Sequence, residues 1–179
     1  SIFSQAYETV IFDSGDLSWC TISEGTLNSD KSNDAQLLVD WLTTSEHDVS
    51  LLVMGDRTAG DLASSETAVA VELFSTICGA MLVDDSYLDL TGGFEHGGVV
   101  TPLITGVPGG PYVGLSYWAR GGCPLLSDFD VLDKVGPGEY ALQYSDHGDD
   151  PYYAGIYTDQ LNSSGADMKT VWVGHSFQN

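Results

Sequence analysis

Apolar positions follow two rhythms along this chain. In the first half, short continuous apolar runs alternate with stretches whose apolar residues recur at helical spacing. Tyr7-Glu8-Thr9-Val10-Ile11-Phe12 is β-branched and aromatic, and Asp13-Ser14-Gly15-Asp16 closes it as a turn, which predicts a strand near 7–12. Asn33 or Asp34 then caps a helix near 34–44, with Leu37, Leu38, Trp41 and Leu42 on one stripe. Ser50-Leu51-Leu52-Val53-Met54-Gly55 is a continuous apolar run, as expected of a strand covered on both faces. Leu62, Val69, Val71, Leu73, Phe74 and Ile77 predict a helix over roughly 58–77, and Gly79 breaks it before a strand near 80–84. Strand, helix, strand, helix, strand is the order of parallel units joined by right-handed crossovers.

After Asp84 the character changes. Glycine and proline multiply between Gly92 and Pro111, and only short strand-like runs follow: Val99 to Ile104, Tyr112 to Trp118, Tyr140 to Tyr144, Ala154 to Tyr157 and Thr170 to Val173. The expected fold is therefore α/β: three layers around a mainly parallel, doubly wound sheet, with a β-rich excursion in the second half and a last strand near 170–174. No repeat or linker divides the chain, so residues 1–179 are expected to form one domain.

Charge narrows the partners. The net charge is −21, from 26 acidic and 5 basic residues, and it repels phosphate backbones and anionic lipid, which excludes nucleic-acid and membrane-surface roles. No apolar run approaches the ~18 residues of a membrane-spanning helix, so membrane insertion is not expected. The acids are mostly aspartate, the residue of turns, caps and loops; they serve either a solvated surface or loop-bound Ca²⁺. The cysteines, Cys20, Cys78 and Cys123, are odd in number, so at least one is unpaired within the chain. One disulfide involving Cys123 and three free thiols both remain open.

The most informative segment runs from Leu51 through Met54-Gly55-Asp56-Arg57 to Leu62: a buried strand ends at glycine and opens a helix. In open α/β sheets such carboxyl-end turns hold ligands, and hydrolases mount a nucleophilic Ser or Cys there. Here the exposed positions carry Asp56 and Arg57, which cannot act as an acyl-transfer nucleophile; the plainer reading has Asp56 bonding N–H groups of the helix start and Arg57 pairing with an acid. Cys78 lies where a helix runs into a strand, the wrong order for a nucleophile elbow, and reads as a buried thiol. Among His47, His96, His147 and His175, His175 alone follows a strand in the manner of an active-site group. Asp146, Asp149 and Asp150, around His147 and Gly148, offer oxygen ligands to Ca²⁺ but lack the twelve-residue EF-hand register. No cysteine cluster has zinc spacing. Trp41 and Trp172 fall in core-like elements, and Asn162-Ser163-Ser164 matches the N-glycan acceptor tripeptide.

Several of these segments, in order, resemble extracellular bacterial α/β modules with a class I glutamine-amidotransferase-like, flavodoxin-like fold, similar to gingipain-type domains of large secreted proteins. The segments are Tyr7 to Ser18, Asn33 to Leu42, Leu51 to Asp56, Gly121-Gly122-Cys123-Pro124, Phe129-Asp130-Val131-Leu132 and Val171 to Phe177. Active amidotransferases of this kind carry Cys at the elbow, where this chain has Asp56, so their activity does not carry over. The resemblance also implies another strand and helix before Tyr7, so that residues 1–179 belong to a longer polypeptide. It implies an extracellular or cell-surface setting and a non-catalytic structural or binding module, completed by the rest of its own chain or by neighbouring copies in an assembly or filament. The alternative is a hydrolase using Asp56 and His175 at the carboxyl ends of the strands.

Overall fold

The computed structural model describes residues 7–15, 17, 21–26, 31–91, 95–96, 99–100, 102–119, 128–145 and 151–176. The chain runs β1 (Thr9–Asp13), α1 (Asp34–Thr44), β2 (Val49–Met54), α2 (Thr58–Ser65), α3 (Ala68–Val71) continuing into a π-helical stretch (Glu72–Ile77), β3 (Ala80–Asp84) and α4 (Tyr87–Thr91). It continues through β4 (Glu95–His96), β5 (Val99–Val100), β6 (Leu103–Gly106), β7 (Ser116–Trp118), β8 (Val131–Lys134), β9 (Glu139–Tyr144), β10 (Tyr152–Leu161) and β11 (Asp167–Val173).

Local signals in the first half produce the expected elements. Asn33 Oδ1 accepts from the Gln36 N–H at 2.9 Å, closing the start of α1, whose Leu38, Val39, Trp41 and Leu42 are buried. The stretch expected as one helix from 58 to 77 is instead broken at Glu66, which takes a left-handed conformation (φ 50°), and restarts at Thr67, whose hydroxyl accepts from the Ala70 N–H.

The assembly differs from a doubly wound fold. Nine strands form one mixed, curled half-barrel sheet, in the order β1-β2-β11-β10-β9-β6-β7, with β8 on β10 and β3 on β8; β4 and β5 pair separately. Among the described strands, parallel pairing is confined to β1 with β2 and β2 with β11; the other pairs are antiparallel. Leu51–Met54 does sit inside the sheet, but its second neighbour is β11, the return arm of a long hairpin with β10, and not a strand delivered by a helical crossover.

β3 is the element that a doubly wound sheet would need next to the parallel set, and the chain steers it elsewhere. Gly79 has φ +62°, and a Cβ there would stand 2.4 Å from the Gly138 nitrogen. Only glycine permits that backbone approach. Val135 then donates its N–H to the Gly79 carbonyl, and β3 runs antiparallel to β8.

The helices are also unevenly placed. Side chains of α1, α2, α3 and the π-helical stretch pack on one sheet face, against Val49, Leu51, Val53, Ile156, Met168 and Trp172. The opposite face is covered by Tyr87 of α4, Ile104, Phe129, Tyr144 and neighbouring strands. A third helical layer is therefore replaced by the β-rich second half. Trp41 and Trp172 are core residues, 2% and 0% exposed.

Asn162 ties the β10–β11 turn to the end of α1. Its Nδ2 donates to the carbonyls of Leu42 (3.1 Å) and Ser45 (2.9 Å), while Oδ1 accepts from the N–H groups of Ser164 and Ala166. A glycan on Nδ2 would replace one of those donated hydrogens. Replacing Asn162 with Ala leaves two helix-end carbonyls and two turn N–H groups without this partner, and is expected to cost about 1–3 kcal/mol. Urea unfolding with an unchanged m-value checks it.

Candidate functional site at the carboxyl ends of the parallel strands

The register brings three strand ends together. Asp13 pairs with Met54, and Met54 with Val173, so Ser14-Gly15, Gly55-Asp56-Arg57 and Gly174-His175-Ser176 emerge side by side. Hydrogen bonds lock these exits. Ser14 donates its N–H to the Met54 carbonyl, and Asp56 donates its own to Gly15. Ser176 Oγ donates to Asp13 Oδ1 at 2.8 Å, and the buried hydroxyls of Ser14 and Thr58 are 2.6 Å apart.

Asp56 is 3% exposed and its carboxylate faces inward. Oδ1 accepts from the Phe129 N–H at 2.8 Å and Oδ2 from the Asp128 N–H at 3.4 Å. Phe129 has φ +60°, an uncommon conformation for a bulky residue, and the Asp56 bond holds it there. Asp130 meets the helix start. Asp130 Oδ2 accepts from the Ala59 N–H in the first turn of α2, at 2.8 Å. Its Oδ1 is buried without a hydrogen-bond partner. Burial pushes the Asp130 carboxyl well above its ordinary range, the Asp56 and Asp85 charges add to this, and the Ala59 and Gly60 N–H groups oppose it. Arg57 pairs with acids as expected, with Asp85 at 2.9 Å and Asp128 at 3.5 Å.

His175 is fully buried, and its Nε2 lies 2.9 Å from the Tyr117 hydroxyl. Burial lowers its pKa to about 3, so the imidazole is neutral near pH 7. Phe129 stands between the two candidate residues: its N–H is on Asp56, and its ring centre is 6.2 Å from that of His175. Asp56 and His175 thus share one end of the sheet, as their strand-end positions suggested. Their environments suit bracing more than proton transfer: a carboxylate occupied by backbone donors, and an imidazole too poorly solvated to charge.

Cys78 is buried, and desolvation raises its thiol to about 12, so it is inert as a nucleophile near neutral pH. Cys20, Cys123, His147, Asp146, Asp149 and Asp150 lie outside the described residues. Among the described residues no group of three His, Cys, Asp or Glu could hold a metal ion. One cavity of about 480 Å³ lies beside Val107–Pro111, Glu139, Tyr140 and Tyr157, and another of about 250 Å³ between α2, the π-helical stretch and β3. Neither is lined by Asp56 or His175.

Sequence reading missed Asp130 and Tyr117 as members of the cluster. Asp130 carried one faint signal, an acid immediately before an apolar run, Val131-Leu132; Tyr117 carried none, because only the fold carries its strand towards His175. No family model, curated protein or solved structure matches this chain, so nothing in those comparisons identifies an amidotransferase-like or gingipain-like module.

Proposed function

We propose that the chain is a non-catalytic structural or binding module of a secreted or cell-surface protein. The observation that carries this reading is the role of Asp56. The one acid at the strand-to-helix turn is 3% exposed and spends its oxygens on the backbone of Asp128 and Phe129. A group so held stabilises the turn; a general base needs an oxygen free to reach a substrate proton. The buried neutral His175 and the inert Cys78 support the same reading. The charge of −21 suits a protein kept soluble and apart from its copies in a crowded, salty exterior.

The test is a panel of p-nitrophenyl esters and peptidyl anilides at pH 5 to 8. Wild-type protein is expected to give turnover indistinguishable from buffer. Turnover that disappears in a still-folded Asp56→Asn variant overturns the proposal in favour of a hydrolase built on Asp56 and His175.

A further inference from the structure

Among the described strands, β1 stands at an edge of the sheet and pairs with β2 alone. Natural edge strands discourage unwanted pairing with lysine, proline or a bulge; Thr9-Val10-Ile11-Phe12-Asp13 has neither residue, and its register with β2 is unbroken. Val10 and Phe12 turn towards the helical face and are only partly buried. Ile11 points to the other face and is 64% exposed.

Ile11 also begins an apolar row across the sheet. It pairs with Leu52, Leu52 with Val171, and Val171 with Tyr157, and the last three are partly buried. The row therefore runs off the sheet at its most exposed member. One further strand bonded to β1 would extend the row, cover Ile11, and complete the cover of Val10 and Phe12 on the opposite face.

We propose that β1 is a docking edge that takes an extended, apolar, positively charged segment of a partner polypeptide by strand addition. Charge selects this occupant. Glu8 and Asp13 flank the apolar stretch, and the chain as a whole carries −21. A second copy would bring another −21 to the junction, whereas a basic segment is drawn to it. The proposal rests on the reading of the chain as a binding module, and it names the partner's chemistry.

The experiment uses the whole chain and a fluorescein-labelled peptide, Lys-Thr-Val-Ile-Val-Thr-Lys, with Glu-Thr-Val-Ile-Val-Thr-Glu as its counterpart. At low salt the basic peptide is expected to bind at least tenfold more tightly than the acidic one, to weaken as salt rises, and to shift backbone amide resonances of residues 8–13. Ile11→Lys, which adds an edge guard, is expected to weaken binding at least tenfold. Leu161→Lys makes the same charge change at another exposed apolar site, 66% exposed at the end of β10, and is expected to leave binding within twofold of wild type. No binding, equal affinity for the two peptides, or equal effects of the two lysine variants overturns the proposal. So does concentration-dependent self-association abolished by Ile11→Lys, which would assign the edge to a second copy. Ester or anilide turnover, read separately, bears on the non-catalytic reading and leaves the peptide result to stand or fall by itself.

Discussion

Acidification from pH 7 to pH 3 is expected to remove about 4 kcal/mol of folding stability through His175 alone. The imidazole has a pKa of about 3 in the folded chain against an ordinary 6.5, and burial is the cause. The unfolded chain therefore takes up a proton below pH 6.5 while the folded chain refuses it until about pH 3. The contribution of a neutral His175 is complete above pH 6.5, shrinks as pH falls through that window, and is exhausted near pH 3. Urea unfolding at pH 7, 5 and 3.5 measures it directly. In His175→Gln the side chain can still offer an amide towards the Tyr117 hydroxyl but cannot titrate, so the variant should lose stability less steeply between pH 6.5 and 3 than wild type. Parallel pH profiles for the two proteins would mean that the imidazole is solvated in solution and carries no such linkage.

The distance between what was legible in the sequence and what was not is clearest at β2 and β3. Both are short apolar runs bounded by glycine, and both are strands where the pattern placed them, at 49–54 and 80–84. Hydrophobic runs specify that a strand forms and which residues it buries; they do not specify its neighbour. β2 acquired β11 from the far end of the chain, and β3 acquired β8, in a segment that carried no strand expectation in the sequence. The reason lies in close backbone contacts such as Gly79 against Gly138, and in the turn at Asn162 that makes β10 and β11 a hairpin. Neither has a periodic signature. A β-rich second half could be read as an excursion from a parallel core, whereas it supplies most of the sheet. The same limit applies to the site. Asp56 and His175 were legible because each directly follows a buried strand. Asp130 was not, because its value comes from meeting α2 some seventy positions earlier in the chain.

Asp130 and Asp56 lie within one network, yet their replacement by asparagine should move stability in opposite directions. Both oxygens of Asp56 face backbone N–H donors, on Phe129 and Asp128. An asparagine amide has one acceptor oxygen, so its NH₂ group must confront one of those donors, and Asp56→Asn is expected to lose about 1–3 kcal/mol at pH 7. Asp130 accepts a close hydrogen bond on Oδ2 from the Ala59 N–H, and the Gly60 N–H also favours its charged form; its Oδ1 is buried without a close partner and set among the charges of Asp56 and Asp85, with the Arg57 guanidinium and the Tyr144 phenol also nearby. An asparagine can accept from Ala59 with its oxygen and turn its NH₂ towards that acidic surrounding. Because burial raises the Asp130 carboxyl in the folded chain, its contribution is complete below the ordinary aspartate value and is lost as pH rises towards the folded one. Asp130→Asn escapes that loss. It is expected to be near neutral at pH 3.5 and to gain about 1–3 kcal/mol at pH 7. Chemical unfolding of both variants at the two pH values provides the comparison. A loss at pH 7 as large as that of Asp56→Asn would show that Asp130 works as an ionised cap on α2, held by the helix start strongly enough to overcome its burial and its acidic neighbours.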